Sequence, residues 1–191
     1  MTDTQNNQFQ AAGRVKTIQG SILSPHNAGL RFILNIANTA GKMESPLYPV
    51  FDKKWPKVKA EVRGSFVTKT GAYKLGTIAC NTATQSDVWV LSLLAQDDDL
   101  KTDVVALEKS LVEVCKLAKF EKASVHVSTI LTDHVPQLTE LINKCLVKQG
   151  VSVNFYDEPG YIKKEVEVTP EEPVEVKKAT KRGSKIKRVL E

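Results

Sequence analysis

Apolar residues recur along the chain in short runs whose spacing predicts alternating strands and helices. The segment RVKTIQ alternates polar and apolar positions, as a half-buried strand does. The segment RFILNIA is almost continuously apolar, which is typical of a strand buried on both faces. The six predicted strands span residues 14–19, 31–37, 72–83, 87–95, 124–130 and 151–156, and a tight turn at 84–86 joins the third to the fourth.

Three other segments keep a helical period and predict helices at 46–62, 103–120 and 135–148. Pro46 and Pro136 suit the first turns of the first and third helices. Pro56 lies inside the first segment and predicts a kink there, or two short helices, because proline removes a backbone hydrogen bond. This order of strands and helices predicts an α/β domain with a mixed sheet covered by helices on both faces.

Hydrophobic residues make up 41% of the 191 residues, which is enough for one sizeable core. The predicted elements fall within residues 14–157, so we expect one domain there. Residues 1–13 are polar and predict a flexible N-terminus. Residues 158–191 are rich in charge and proline, and we expect this tail to be disordered.

The net charge of +5 conceals two blocks of opposite sign in the tail. Residues 165–175 carry glutamates without a base, and a basic block without an acid follows. The basic block contains Lys177, Lys178, Lys181, Arg182, Lys185, Lys187 and Arg188. It has no aromatic residue for base stacking, so contact with nucleic acid or an acidic partner would be phosphate-based and salt-sensitive. A solubilising tail is an equally weighted alternative.

Several function classes are disfavoured by composition. No apolar run approaches the ~18 residues of a membrane span, and the polar start is unlike a secretory signal, so we expect an intracellular, cytoplasmic protein. Cys80, Cys115 and Cys145 lie too far apart for a zinc site or a disulfide framework, and we expect all three to pack in or near the core. We expect no cofactor.

Three other groups of polar residues have structural interpretations that we prefer to functional ones. Asp97-Asp98-Asp99 follows a predicted strand and indicates a solvated turn, with a metal site as the alternative. Asp133, beside His134, is predicted to cap the third helix, an acid–base pair being the alternative. His126 alternates with valines in a strand and is expected to pack there, whereas His26 lies in a loop without metal-ligating neighbours.

Four parts of the chain stand out together as a set of motifs. They are VKTIQGSIL (15–23), ILNIANTAGKM (33–43), the hairpin 73–96 that ends in LSLLAQ, and SVHV (124–127) with VNFYD (153–157). Together they resemble the macro domain family, in particular its branch of ADP-ribose 1''-phosphate phosphatases. The resemblance covers about residues 14–157. It implies a three-layer α/β/α fold with a mixed, about six-stranded sheet, and a ligand of the ADP-ribose type.

The resemblance also implies positions for ligand contact. Ser21 stands where the family has an aspartate that holds the adenine amino group, and a hydroxyl brings no charge there. Asn38 matches an asparagine that supports the distal ribose, and Gly41 matches the first loop glycine. The candidate ligand-binding residues are Ser21, Ile22, Asn38, Gly41, Thr129 and Ile130.

Both phosphate-binding loops depart from the family pattern. Glu44-Ser45-Pro46 replaces a Gly-x-Gly, exchanging permissive residues for an acid that repels phosphate and a proline without an N–H. The second loop reads ILTDHVP (130–136) and has no glycine. A cradle of N–H groups needs several members, so we expect that Asn38 closes a turn through its own side chain instead of contacting a ligand.

These departures predict a degenerate macro-domain-like binding or structural module without catalysis, in which binding of an ADP-ribose-type nucleotide is weakened or lost. The partner would then be a protein or an assembly, and the basic tail would add attachment to nucleic acid. The alternative function is an ADP-ribose-binding macro domain with ADP-ribose 1''-phosphate phosphatase or de-ADP-ribosylating activity. A drifted domain with charged ends fits a viral genome as well as a cellular one, and a viral source would imply the host cytoplasm or the virion.

Overall fold

The computed structural model describes residues 12–68 and 73–161, which form an alternation of strands and helices. The strands are β1 (Val15–Gln19), β2 (Arg31–Asn38), β3 (Ile78–Thr82), β4 (Val88–Gln96), β5 (Ser124–Ser128) and β6 (Val153–Asp157). The helices are α1 (Tyr48–Phe51), α2 (Pro56–Thr68), α3 (Val104–Glu121), α4 (Thr129–His134) and α5 (Leu138–Cys145), and a single 3-10 turn spans Val147–Gln149.

The six strands form one sheet in the order β1-β6-β5-β2-β4-β3. Strands β1, β6, β5, β2 and β4 run parallel to one another. The edge strand β3 is antiparallel to its neighbour β4. Every residue of β2 except Arg31 is buried, so both faces of the sheet are covered. The predicted three-layer α/β/α architecture with a mixed, six-stranded sheet is therefore confirmed.

The break at Pro56 takes the form of two short helices. Helix α1 ends at Phe51, Trp55 lies between the helices, and Pro56 is the first residue of α2. Proline fits that position because the first N–H groups of a helix have no partner inside it. The Trp55 side chain is buried beside Phe51, with ring centroids 6.0 Å apart, and anchors the break to the core.

Helix α3 has the terminal residues that its sequence predicts. The side chain of Asp103 accepts hydrogen bonds from the backbone N–H groups of Val105 and Ala106. At the other end Lys122 adopts a left-handed conformation, and its N–H is donated to carbonyl oxygens of the last turn. One face of the helix is buried, including Leu107, Leu111 and Val114.

Four predictions about local structure are wrong. The third strand begins at Ile78, not at residue 72, and β5 ends at Ser128 because the Ser128 hydroxyl accepts the N–H of Ile130 and starts α4 there. Asp133 is not a cap, since it lies inside α4, and the last helix begins only at Leu138 and ends at Cys145.

The cysteine prediction holds for two residues and fails for the third. Cys115 and Cys145 are buried, whereas Cys80 is exposed. Cys80 lies on the edge strand β3, where alternate side chains leave the buried face of the sheet. Within the described residues none of the three forms a disulfide bond. In the part of the chain that the structure describes, no helix is both long and apolar enough to cross a bilayer.

The cap of α3 makes a testable contribution to stability. Replacing Asp103 with alanine leaves the N–H groups of Val105 and Ala106 without their acceptor. We expect the free energy of unfolding, measured by urea denaturation, to fall by about 1 kcal/mol. Asp99→Ala, at an exposed position in the preceding turn, is the matched control and should change it by less than half as much. Equal losses in the two variants would contradict the capping role.

Candidate functional site

The order of the strands locates the crevice where a parallel sheet of this kind binds ligands. Strands β2 and β5 are adjacent, and the chain continues from β2 toward β4 on one side and from β5 to β6 on the other. Ligands of open α/β sheets bind outside the carboxyl ends of the strands at such a switch point. The loop after β2 and the start of α4 flank this crevice, and the turn after β1 lies at the same edge.

The loop after β2 is closed by the side chain of Asn38. Its Oδ1 accepts the N–H of Lys42 at 2.9 Å, and its Nδ2 donates to the Lys42 carbonyl at 2.7 Å. Asn38 is 2% exposed, and Gly41 within this ring has a φ of +70°. The expectation that Asn38 closes a turn through its side chain is confirmed, and both ends of its amide are engaged.

A second buried asparagine holds the next part of this loop. Asn35 is fully buried, and its Oδ1 accepts a hydrogen bond from the Ser45 hydroxyl. Its Nδ2 donates to Ser92 at 3.2 Å and to the Tyr48 hydroxyl at 3.5 Å. Burial raises the pKa of Tyr48 to about 12, so the phenol stays neutral in this network. The segment Glu44-Ser45-Pro46 is thus anchored by Ser45, while Glu44 is exposed.

At the turn after β1, a glutamate carboxylate accepts a hydrogen bond from the backbone. The N–H of Ile22 is donated to Oε1 of Glu158 at 2.6 Å, the short distance typical of a hydrogen bond to an ionised acceptor. The Ser21 hydroxyl accepts the N–H of Leu23 at 3.2 Å and closes the turn. Next to them, the Gln19 amide donates to the Asp157 carboxylate.

Polar groups at the start of α4 are also hydrogen-bonded within the protein. The Thr129 hydroxyl donates to the carbonyl of Tyr156 at 3.1 Å, and the N–H of Ile130 is donated to Ser128 at 3.3 Å. Leu131 is fully buried in the core, and Met43 packs against the same core from the loop after β2. The candidate residues do meet at one edge, but all of them except Gly41 have a polar group bonded to the protein itself.

A cavity of about 370 Å³ lies beside these residues, outside the ends of β5 and β6. It is lined by Thr129, Thr132, Asp133, Asp157, Glu158 and Tyr161. Three carboxylates face it, so its field opposes the entry of a phosphate. Our sequence reasoning missed Glu158 and Tyr161 because it assigned them to the tail. The available signal was the acidic pair Asp157-Glu158 at the end of β6.

His126 packs in the sheet, as expected. It is fully buried, with Nε2 at 2.8 Å from the Ser124 hydroxyl and Nδ1 at 2.9 Å from the Tyr156 hydroxyl. Burial lowers the pKa of His126 to about 3, with smaller contributions from Arg31 and His26. The ring is therefore neutral at physiological pH. The exposed His26 stacks on Tyr156 with ring centroids 6.3 Å apart.

The aspartates after β4 form a turn that also holds the β2 loop. Asp97 Oδ1 accepts the N–H groups of Asp99 and Lys101. Asp98 accepts a hydrogen bond from the hydroxyl of Thr39 at 2.8 Å. Over residues 12–68 and 73–161, no three metal-ligating side chains form a group that could hold a cation. The basic residues predicted to bind nucleic acid or a partner, from Lys177 to Arg188, lie outside the described residues.

Comparison with known proteins identifies the fold. The chain is similar to a macrodomain protein from Streptomyces coelicolor, with a TM-score of 0.67 and 22% sequence identity over 75% of this chain and 99% of that chain. It is also similar to the macrodomain of Thermus aquaticus DarG, with a TM-score of 0.59 and 15% identity over 76% of this chain and 99% of that one. A third similar structure is Thermosipho africanus DarTG in complex with ADP-ribose, with a TM-score of 0.61 and 15% identity over 80% of this chain and 43% of the other.

No family model matches the sequence, and no curated protein matches it either. The similarity is therefore one of structure at low sequence identity. It shows that the chain has the macrodomain fold, as the four sequence segments predicted.

The closure of the β2 loop by Asn38 can be tested by stability. We expect Asn38→Ala to lower the free energy of unfolding by about 1–3 kcal/mol, because it leaves the N–H and carbonyl of Lys42 without partners. Hydrogen exchange of the Lys42 amide should accelerate more than that of the amides in β5. Gln85→Ala, at an exposed position of the β3–β4 turn, is the control. An unchanged Lys42 exchange rate would contradict this role.

The buried His126 makes stability depend on pH. Its pKa is about 3 in the folded state and about 6.5 in the unfolded chain, so the unfolded state binds the proton first as the pH falls. This contribution is fully present above pH ~6.5 and is lost between pH ~6.5 and ~3, by at most about 1.4 kcal/mol per pH unit. We expect His126→Gln to flatten the curve of unfolding free energy against pH in this range.

The control for this dependence is His134→Gln, because His134 is exposed to solvent and lies outside the buried hydrogen-bond chain of His126. The His126 ring resonances of the wild type should not titrate between pH 8 and pH 4.5. A titration midpoint near pH 6.5 would overturn the assignment.

Proposed function

We propose that this chain, which has the macrodomain fold, is a binding or structural module without catalysis, in which the site for an ADP-ribose-type ligand is closed by the protein's own groups. The observation that carries the proposal is the hydrogen bond between the N–H of Ile22 and the carboxylate of Glu158. A ligand that used this N–H would have to displace an ionised acceptor at 2.6 Å.

The loop after β2 supports the same conclusion. Both ends of the Asn38 amide are bonded to Lys42, so contact with a ribose would first break the ring that shapes the loop. Ser45 cannot turn toward a ligand without leaving the buried Oδ1 of Asn35 without this donor, which costs about 1–3 kcal/mol. Contacts with the core therefore fix the conformation of the loop without any contribution from a ligand.

Charge at this edge also disfavours a diphosphate. Asp133, Asp157 and Glu158 face the adjacent cavity, and Glu44 is exposed on the β2 loop. Lys42 is a cation in this region, but its Nζ donates to the carbonyl of Asp98 at 2.5 Å. A negative edge suits a basic or neutral partner better than a phosphate-rich nucleotide.

The similar DarTG structure contains ADP-ribose, and this observation favours ADP-ribose as the nucleotide to test first. Phosphatase or de-ADP-ribosylating activity rests on the sequence resemblance alone and stays a prediction. The same is true of a viral source and of attachment through the basic block of residues 177–188.

Calorimetry with ADP-ribose tests the proposal. For the wild type we expect no saturable binding tighter than about 1 mM, a standard free energy of about −4 kcal/mol. Glu158→Ala frees the N–H of Ile22 and removes one negative charge, so its affinity should rise about tenfold, as expected when an ionised acceptor worth ~1.4 kcal/mol is removed.

Glu140→Gln is the matched control, because it removes an exposed glutamate of α5 away from the cavity. It should leave binding unchanged. Micromolar binding by the wild type would show that the site is functional and would contradict the proposal. If Glu158→Ala bound ADP-ribose no more tightly than the wild type, the carboxylate of Glu158 would not be what blocks the site.

A further inference from the structure

A second cavity, of about 530 Å³, lies at the opposite edge of the sheet, where β5 and β6 begin. Its polar lining comes from the loop before β2, from the end of α3 and from the starts of the two strands. The residues that matter for its chemistry are Asn27, Lys119, Lys122, Ser124, Gly150 and Ser152. None of the candidate ligand-binding residues at the carboxyl edge lines it.

The hydrogen-bond chain behind Ser124 fixes which way its hydroxyl points. The Tyr156 hydroxyl accepts the backbone N–H of His26 at 2.8 Å, so its own hydrogen is available to Nδ1 of His126. His126 is neutral, because burial depresses its pKa, and we assign its one ring hydrogen to Nε2, the tautomer in which Nδ1 accepts the hydrogen of the Tyr156 hydroxyl. That hydrogen is donated to Ser124 Oγ at 2.8 Å. The Ser124 hydroxyl hydrogen then remains to be donated elsewhere.

Ser152 is arranged in a similar way. Its Oγ accepts the backbone N–H of Arg14 at 3.4 Å, which leaves its hydroxyl hydrogen available. Within the described part of the chain, neither Ser124 nor Ser152 has an acceptor for this hydrogen. Both residues line the cavity, so two hydroxyl donors border the same space.

Among the described residues, the charged side chains of the lining have a single sign. Lys119 and Lys122 border the cavity, and no carboxylate of the described residues does. The backbone of Lys122 is held in a left-handed conformation with a φ of +55°, and that of Asn27 has a φ of +83°. The α3 carbonyls of Ala118 and Lys119 accept N–H groups from residues 122 and 123. These two helix-end acceptors are therefore already engaged by the protein.

From this arrangement we infer that the cavity is a binding site for an oxyanion, either free or carried by a small molecule. The Lys122 ammonium and two hydroxyl donors suit the oxygen atoms of a phosphate or a carboxylate, which accept hydrogen bonds and carry negative charge, and Lys119 adds positive charge beside them. The volume is within the range of small-molecule sites. The site is separate from the one discussed above, so either can fail without the other.

Titrations followed by backbone amide resonances test this site at pH 7. The probe is inorganic phosphate, with sodium chloride at the same ionic strength as the reference. Saturable shifts are expected at Lys122, Ser124, Gly150 and Ser152, and none of similar size at Asn38 or Ile22. Glycerol 3-phosphate and acetate distinguish the two classes of oxyanion. If the ligand is a phosphate compound, glycerol 3-phosphate should bind at least as tightly as inorganic phosphate. If the ligand is a carboxylate, acetate should bind more tightly than inorganic phosphate.

The variant for this test combines Lys119→Gln with Lys122→Asn, because asparagine accepts the left-handed backbone at that position. The double variant should bind phosphate about fivefold more weakly or worse, from the loss of two positive charges at the cavity. Lys116→Gln, an exposed lysine of the same helix outside the cavity, should bind as the wild type does. Shifts equal to those with chloride, or unchanged affinity in the double variant, would overturn the inference.

Discussion

Two asparagines in the central strand β2 impose the constraint on which the carboxyl edge of the molecule depends. Asn35 is fully buried and Asn38 is 2% exposed, in a strand with sheet neighbours on both sides. A buried amide that lacks partners is costly, so each must be satisfied locally. Asn35 takes Ser45, Ser92 and Tyr48, and Asn38 takes both backbone groups of Lys42. The loop between them and α1 therefore has its shape fixed by the core.

This constraint explains why the edge that binds ligands in open α/β sheets offers so few open groups here. A loop rich in glycine can present several N–H groups at once because its backbone is held by the ligand as much as by the protein. In this chain the corresponding segment is held from inside by Ser45, and the turn after β1 is held from outside by Glu158. Anything that binds at this edge competes with intramolecular bonds that are already short and partly charged.

The sequence predicted the sheet and most helices because their patterns are local. The apolar run of β2, the proline at position 56 and the aspartate that caps α3 each act through neighbours a few residues away. It did not predict that Ser128 would end β5, since the valine and isoleucine around it suit a strand, and only the competing cap decides. The site was predicted in part. Asn38 could be interpreted because its partner is four residues away, whereas the Ile22–Glu158 bond joins residues far apart in the chain.

The two edges of the sheet differ in what the fold leaves unsatisfied. At the carboxyl edge carboxylates and amides bond to one another, and the charge that remains is negative. At the amino edge the hydrogen bonds run in one direction, from the Tyr156 hydroxyl to His126 and from His126 to Ser124. This is because a neutral imidazole has one N–H that donates and one nitrogen that accepts. A directional chain that ends at a cavity presents a donor there, next to two lysines. The same demand that buried polar groups be paired therefore engages the donors at the carboxyl edge and leaves hydroxyl hydrogens facing a cavity at the amino edge.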